Sequence, residues 1–483
     1  MDAGLAMTSK ADSLQAHPSS TFLFYDIETT GLNKCFDQVL EFAAIRTDLD
    51  FNELERYEWH VKLNPDTWPA PEALITHRIP QQRDGITELE ALINIHALFN
   101  TPGTRTLGYN TLGFDDEFLR FSFFRHLLPP YTHQYANACY RLDLYPVTLQ
   151  YALFKPALLQ WPITPEGKRS LKLEALCAAN QLAEGQAHRA LFDVEVTIAL
   201  AKRLRAAQDM WDYVLAAFQK SQDTARIARL PFSFQTTDMS FQEALAVHAK
   251  LGHDNSFQSI VMSLGQHQHY RNQTLWLRLD AGCFETCSAT ELIDNSRVLR
   301  KRMGEPPFLL PTHTRFLTQL SSDRLALIEK NKVFLRENPK QCQALIDYHQ
   351  HFQYPEVPHA DIDAQLYMLP FTTPEEERFY QQWHRATPPD KVKLLDRFTV
   401  ETRQRQALRL IGRYWPAHLT EYWRIKWRED TAQYRTAVDY RGEPKETREA
   451  TVLRAQTLLE TKQLDPEQQQ ILREFLATSQ GVA

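Results

Sequence analysis

The sequence predicts an α/β first domain, a mixed sheet covered by helices, followed by a β-rich segment and a helical C-terminal part. Three observations carry this. Residues 21–32 read TFLFYDIETTGL, a short apolar run bounded by Gly31, which marks a buried strand. Residues 56–63 place Tyr57, Trp59, Val61 and Leu63 on one face with a period of two. From Asp361 onward the chain reads as successive helices.

The elements follow in order. Residues 39–48 are a second strand, and with 56–63 they complete an antiparallel meander. PDTWPAPEA is a proline-punctuated loop. Residues 87–99 carry Leu89, Leu92, Ile93 and Phe99 at helical spacing, and 106–109 form a short strand. A phenylalanine-rich helix over 114–127 is stopped by Pro129 and Pro130. Amphipathic helices over 170–180 and 190–206 close a first domain at 21–205. Strands followed by helices with an interposed strand give a mixed sheet covered by helices. The middle domain, 206–360, holds a helix over 211–220 and strands at 257–264 and around Leu275, Leu277 and Leu279. The C-terminal domain, 361–483, has helices over 375–385, 401–413, 419–434, 445–461 and 466–476. Pro374, Pro416, Pro444 and Pro466 lie at or near their starts, where proline is tolerated. Residues 1–20 read as a disordered leader.

At 483 residues the chain suggests about three domains. Its 43% hydrophobic and 24% charged residues suit a soluble globular protein. A net charge of −6 carries no global mark of nucleic-acid binding, so any basic surface is local. The six scattered cysteines form no zinc-binding pattern and fit a reducing, cytoplasmic setting. No stretch is long and apolar enough to span a membrane.

Three stretches carry chemistry. Strand alternation points Asp26 and Glu28 to one face. Two carboxylates there repel each other unless a cation sits between them, and a hard divalent ion such as Mg²⁺ prefers such oxygens. GYNTLGFDDEFLR brings Asn110, Asp115 and Asp116 to a strand-to-helix junction. HRALFDVEV brings His188 and then Asp193 to the start of a helix, with His188 on the approach rather than on the face of Asp193. Four acids and a histidine are the parts of two-metal phosphodiester hydrolysis, with a base that takes a proton from water.

DIETTGL, GYNTLGFDDEFL and HRALFD resemble the three motifs of the DEDDh, or DnaQ-like, 3′→5′ exonucleases. The resemblance implies a ribonuclease H-like domain, two Mg²⁺ ions (Mn²⁺ may substitute) on Asp26, Glu28, Asp115 and Asp193, and His188 as general base. It assigns no metal to Asp116. FAAIRTD, LRENP at 335–339 and DAQLY at 363–367 are similar to the bacterial exonuclease I family. That similarity implies an SH3-like middle domain, an all-helical C-terminal domain and a monomer acting on single-stranded DNA in DNA repair and recombination. The chain departs from the enterobacterial members with DIETTG for DYETFG and with Lys172 for an arginine.

Alignment with that family names Glu28, Arg120, Tyr131, Tyr135 and Lys172 as residues that meet the strand. It also implies docking of the acidic C-terminal tail of single-stranded-DNA-binding protein at Tyr213 and Arg336. Segment 401–428 mixes arginines with Tyr414, Trp415, Tyr422, Trp423 and Trp427. It reads either as a nucleic-acid groove or as buried aromatics with solvated arginines. The rivals are an exoribonuclease of the same superfamily and a catalytically silent DNA-binding scaffold.

Overall fold

The computed structural model describes residues 20–79, 84–183, 189–236, 239–285 and 287–480. At its centre is β1, Thr21–Thr29. Strand β2, Val39–Thr47, pairs antiparallel with β1, and β3, Glu53–His60, pairs antiparallel with β2. Helices α1, Pro71–His77, and α2, Glu88–Phe99, follow. Strand β4, Thr104–Gly108, lies parallel to β1, and after α3, Asp115–Arg125, comes β5, Tyr140–Asp143, parallel to β4. Helices α4, Leu144–Phe154, α5, Leu173–Asn180, and α6, Ala190–Arg205, complete this part. The sheet order is β3-β2-β1-β4-β5.

Alternation along β1 decides what faces what. Leu23, Tyr25 and Ile27 pack with Leu92, Phe99, Phe118 and Phe123 from α2 and α3. Phe22 and Phe24 face the other way and join Val194, Leu200 and Leu204 of α6. Asp26 and Glu28 continue this second row, so they emerge at the start of α6. A Cβ on Gly108 would stand 2.7 Å from the Tyr25 carbonyl oxygen, so β4 needs glycine where it turns away from β1.

The same core runs on into the β-rich middle, whose antiparallel sheet is built from Glu243–Val247, Gln258–Gln266, Gln273–Arg278, Val298–Arg302 and Phe308–Leu310. Leu275, Leu277 and Leu279 are all fully buried, as their alternation implies. The C-terminal part is helical and packs back on the first sheet's helices. Leu127 joins Trp383, Leu410 and Trp423, while Leu74 and Ile75 of α1 pack on Leu472 and Phe475. The expected fold class holds.

Several expectations need correction. Residues 140–154 were not read as elements, yet they form β5 and α4. Nearly every residue of α4 is buried, so it shows no amphipathic period. The strand expected at 56–63 begins at Glu53 and ends at His60. The helix expected over 211–220 is Gln208–Leu215, with a separate helix at Lys220–Ala228. Two long helices, Ser322–Glu337 and Pro339–His351, lie inside the β-rich stretch.

Segment 401–428 is not an open basic groove. Arg409 is buried and bonds Asp361, Asp363 and Asp430. Arg405 shares Asp430, Arg413 holds Asp66 at 2.7 Å, and Arg403 donates to the Phe124 carbonyl. Arg424 and Lys426 pair with Glu421 and Glu429 on their own helix. A buried guanidinium needs carboxylates around it, and the charges of Arg403, Arg405, Arg409 and Arg413 are taken up by partners in the fold, whereas Arg424, Lys426 and Arg428 stay at the surface. Arg409→Ala would strand the Asp361 and Asp363 carboxylates and leave Asp430 to Arg405 alone. It is expected to destabilise the C-terminal helices by about 3–5 kcal/mol. Urea unfolding followed through tryptophan fluorescence checks this, and an unchanged midpoint would contradict it.

Candidate active site

Asp26, Glu28 and Asp193 each place a carboxylate oxygen within 4.8 Å of the others. Two come from the end of β1 and the third from the first turn of α6. The register sets Glu28 opposite Glu41 of β2, a fully buried acid. One Glu41 oxygen accepts the Ala190 N–H at 3.1 Å, which fixes where α6 begins. The other lies 3.4 Å from His60 Nδ1 and 3.6 Å from an Arg189 nitrogen.

Asp115 stands beside Asp26, outside the group of three. Its carboxylate is held by its own N–H and that of Ile27. The loop before it is pinned by Asp143, which accepts N–H bonds from Asn110 at 2.8 Å, Leu112 at 3.1 Å and Tyr145 at 2.9 Å. Asn110 takes a positive φ of 67° in this turn. Asp116 points elsewhere, to Arg141 at 2.5 Å and His133 at 3.1 Å.

The electrostatics follow from crowding. Burial, then Asp193 and Glu41, push the Glu28 carboxyl up to about 9, against relief from Arg189. Burial and then Asp115, Glu28 and Asp193 raise Asp26 well above the usual carboxylate range. Burial pushes Asp115 up to about 8, although two backbone N–H groups oppose it. Asp116 is equally buried, but Arg141, His133 and Arg120 outweigh that and hold it well below its ordinary value. Crowding by like charges raises Asp26, Glu28 and Asp115, whereas cationic neighbours lower Asp116. A site of this kind fits divalent cations, whose charge offsets the repulsion among the carboxylates.

His188 lies outside the described residues. Arg120 is only 7% exposed; its Nε is 3.3 Å from Asp116 and its guanidinium lies over the Tyr131 ring. Tyr131 is half-buried and packs edge-on against Phe371, while Tyr135 is 65% exposed. Lys172 is exposed just before α5. Tyr213 lies under Arg226, and Arg336 reaches the Gln235 carbonyl and the Phe234 ring. Sequence reasoning missed Glu41 and Asp143. The signal for Glu41 was a lone acid inside the apolar strand VLEFAA.

This fold and acid group define an exonuclease: residues 23–201 match the exonuclease family model. The chain is 32% identical over 409 residues to exodeoxyribonuclease I of Escherichia coli K12, covering 80% of this chain and 83% of that protein. It belongs to the exodeoxyribonuclease I family. Its structure matches E. coli Exonuclease I in complex with a 5cy-dA13 oligonucleotide, with a TM-score of 0.81 and 25% identity over 96% of this chain and 100% of that one. A structure of SSB/Exonuclease I with the inhibitor CFAM matches with a TM-score of 0.78 and 25% identity, over 96% and 100% of the two chains. The chain is a DNA exonuclease of 3′→5′ polarity.

The raised Glu28 carboxyl sets a pH dependence. Its folded form binds its proton more tightly than the unfolded chain does, so the associated stability is full at low pH and is lost as pH rises. Without divalent cations, the melting temperature should fall between pH 4.5 and about 9, and it should fall less in Glu28→Gln. Differential scanning calorimetry in EDTA reads this. Identical slopes in the two proteins would contradict it.

Proposed function

We propose that the chain hydrolyses single-stranded DNA from its 3′ end with Mg²⁺, or Mn²⁺ in its place, and releases 5′-mononucleotides. The observation that carries this is the meeting of Asp26, Glu28 and Asp193 within 4.8 Å on one sheet end, with Asp115 adjacent. These four would hold two ions. Bound divalent cations supply charge to the attacking and leaving oxygens of an in-line displacement.

The chain's own groups do the rest. Glu41 fixes the start of α6 and so the place of Asp193. Asp143 fixes the loop that delivers Asp115. His188, two residues before α6 in the sequence, would take the proton from water. Tyr135 offers an exposed ring for a base, Lys172 an exposed cation for a phosphate, and Arg120 backs Tyr131 from beneath. The family's solved complexes with an oligonucleotide support the substrate.

The same reading takes the chain as a cytoplasmic monomer serving DNA repair and recombination. Its six cysteines are all free, which suits a reducing compartment, and no described helix is long and apolar enough to cross a membrane. It also includes docking of the acidic tail of single-stranded-DNA-binding protein, supported by the SSB/Exonuclease I structure. Tyr213 and Arg336 would receive the tail, since a guanidinium pairs bidentately with a carboxylate.

End-labelled single-stranded DNA, duplex DNA and RNA, each with and without Mg²⁺, test the substrate. Digestion is expected of the single strand alone, from the 3′ end, and only with the cation. Equal digestion of duplex or RNA would contradict the proposal. Asp26→Ala should remove cleavage while the fold persists, and wild-type turnover in saturating Mg²⁺ would overturn the site. Arg336→Ala should weaken binding of an acidic tail peptide, read by fluorescence anisotropy, and leave digestion of naked DNA unchanged. Unchanged peptide affinity would remove Arg336 from the docking site.

A further inference from the structure

Asp115 and Asp116 are neighbours at the start of α3, and their side chains diverge. Asp115 turns to the acids of β1 and Asp116 to a buried group of cations. Arg141 Nη1 donates to Asp116 Oδ2 at 2.5 Å, His133 Nε2 lies 3.1 Å from Oδ1, and Arg120 Nε lies 3.3 Å from Oδ2. Arg141 then reaches out of the first domain. Its second nitrogen donates to Glu305 Oε1 at 2.7 Å. Glu305 lies in the turn that follows Val298–Arg302 in the β-rich middle. That turn is stiff: the buried Lys301 ammonium bonds the Glu305 carbonyl and the Asp223 carboxylate, and Gly304 N–H donates to the same carboxylate at 2.8 Å.

Arg141 also shares β5 with Asp143, two residues on and therefore on the same face. Asp143 holds the loop leading to Asp115 through the N–H groups of Asn110 and Leu112. The start of α3 is thus fixed from two sides by one strand, and that strand is braced from another domain by one carboxylate.

We propose that Arg141 and Glu305 are positioning residues that set where Asp115 stands relative to Asp26, Glu28 and Asp193. The seating of the middle domain on the first then governs how tightly the acids hold divalent cations. This rests on reading the acids as a cation site. Neither residue touches the reacting atoms. Each acts through a carboxylate or a loop that does not itself hold the ion, so its effect is smaller than the roughly 10- to 100-fold loss that follows removal of a partner bonded directly to a metal ligand.

The test is Mn²⁺ binding to the full chain by isothermal titration calorimetry, with no DNA present. Glu305→Gln keeps the shape and removes the charge that braces Arg141. It is expected to weaken Mn²⁺ binding by up to about 10-fold, the lower end of the loss seen for partners bonded directly to a ligand. KM for single-stranded DNA should stay near wild type and the melting temperature should fall little, because Asp116 still holds Arg141 and the apolar core shared by the two sheets is untouched. Glu305→Asp retains the charge on a shorter arm and should restore part of the affinity. Asp26→Asn, which removes a direct ligand, serves as the control that the heat reports this site. Unchanged affinity in Glu305→Gln, with Asp26→Asn abolishing binding, overturns the positioning role alone. Loss of affinity that tracks a fall in melting temperature through both Glu305 variants overturns it as well, in favour of simple loosening of the interface. No binding by the wild-type chain overturns the cation reading and the positioning role together.

Discussion

The mutual repulsion of buried carboxylates is the constraint on which the rest of this structure depends. Asp26, Glu28 and Asp193 are brought within 4.8 Å at the end of one strand, with Asp115 and the buried Glu41 close by. Nothing among these groups attracts the others in the absence of cations. Their positions are imposed by what lies around them. The rows of Leu23, Tyr25 and Ile27 on one side of β1 and Phe22 and Phe24 on the other leave Asp26 and Glu28 no other direction. The bond from Ala190 to Glu41 starts α6 at the point that delivers Asp193. The site is therefore set by apolar packing and backbone bonds, and it stores unfavourable charge that a divalent cation would relieve.

Elsewhere the fold treats buried charge in the opposite way. Arg125 lies against Glu88 at 2.8 Å, Arg141 between Asp116 and Glu305, and Arg409 among three aspartates. Each is a compensated group, and several of them join parts of the chain far apart in sequence. Arg413 ties the C-terminal helices to Asp66, and Arg403 ties them to the end of α3. These bonds close the C-terminal helices onto the part of the chain that carries the acids. The contrast between acids beside cations and acids that crowd one another separates structural carboxylates from those that could hold a ligand.

What was legible in the sequence follows the same division. DIETTGL gave a strand and a charged face because alternation is local, and the structure places Asp26 and Glu28 as that pattern requires. Helices with an apolar stripe, such as α2 and α6, were read nearly to the residue. Helix α4 was not, since a helix buried on all sides has no stripe to show. The burial of Arg403, Arg409 and Arg413 was not foreseen for a related reason: partners such as Asp66, Asp361 and Asp363 come from distant stretches, and composition does not reveal pairing across the fold. Glu41 and Asp143 act through backbone N–H groups brought near only by the sheet.

Diffraction from crystals of the chain soaked in Mn²⁺, collected at the manganese absorption edge, tests the central claim most directly. The account predicts anomalous peaks between Asp26, Glu28 and Asp193, with Asp115 within ligand reach of one of them. Manganese elsewhere on the surface, with these four carboxylates left without an ion at saturating concentration, would contradict it.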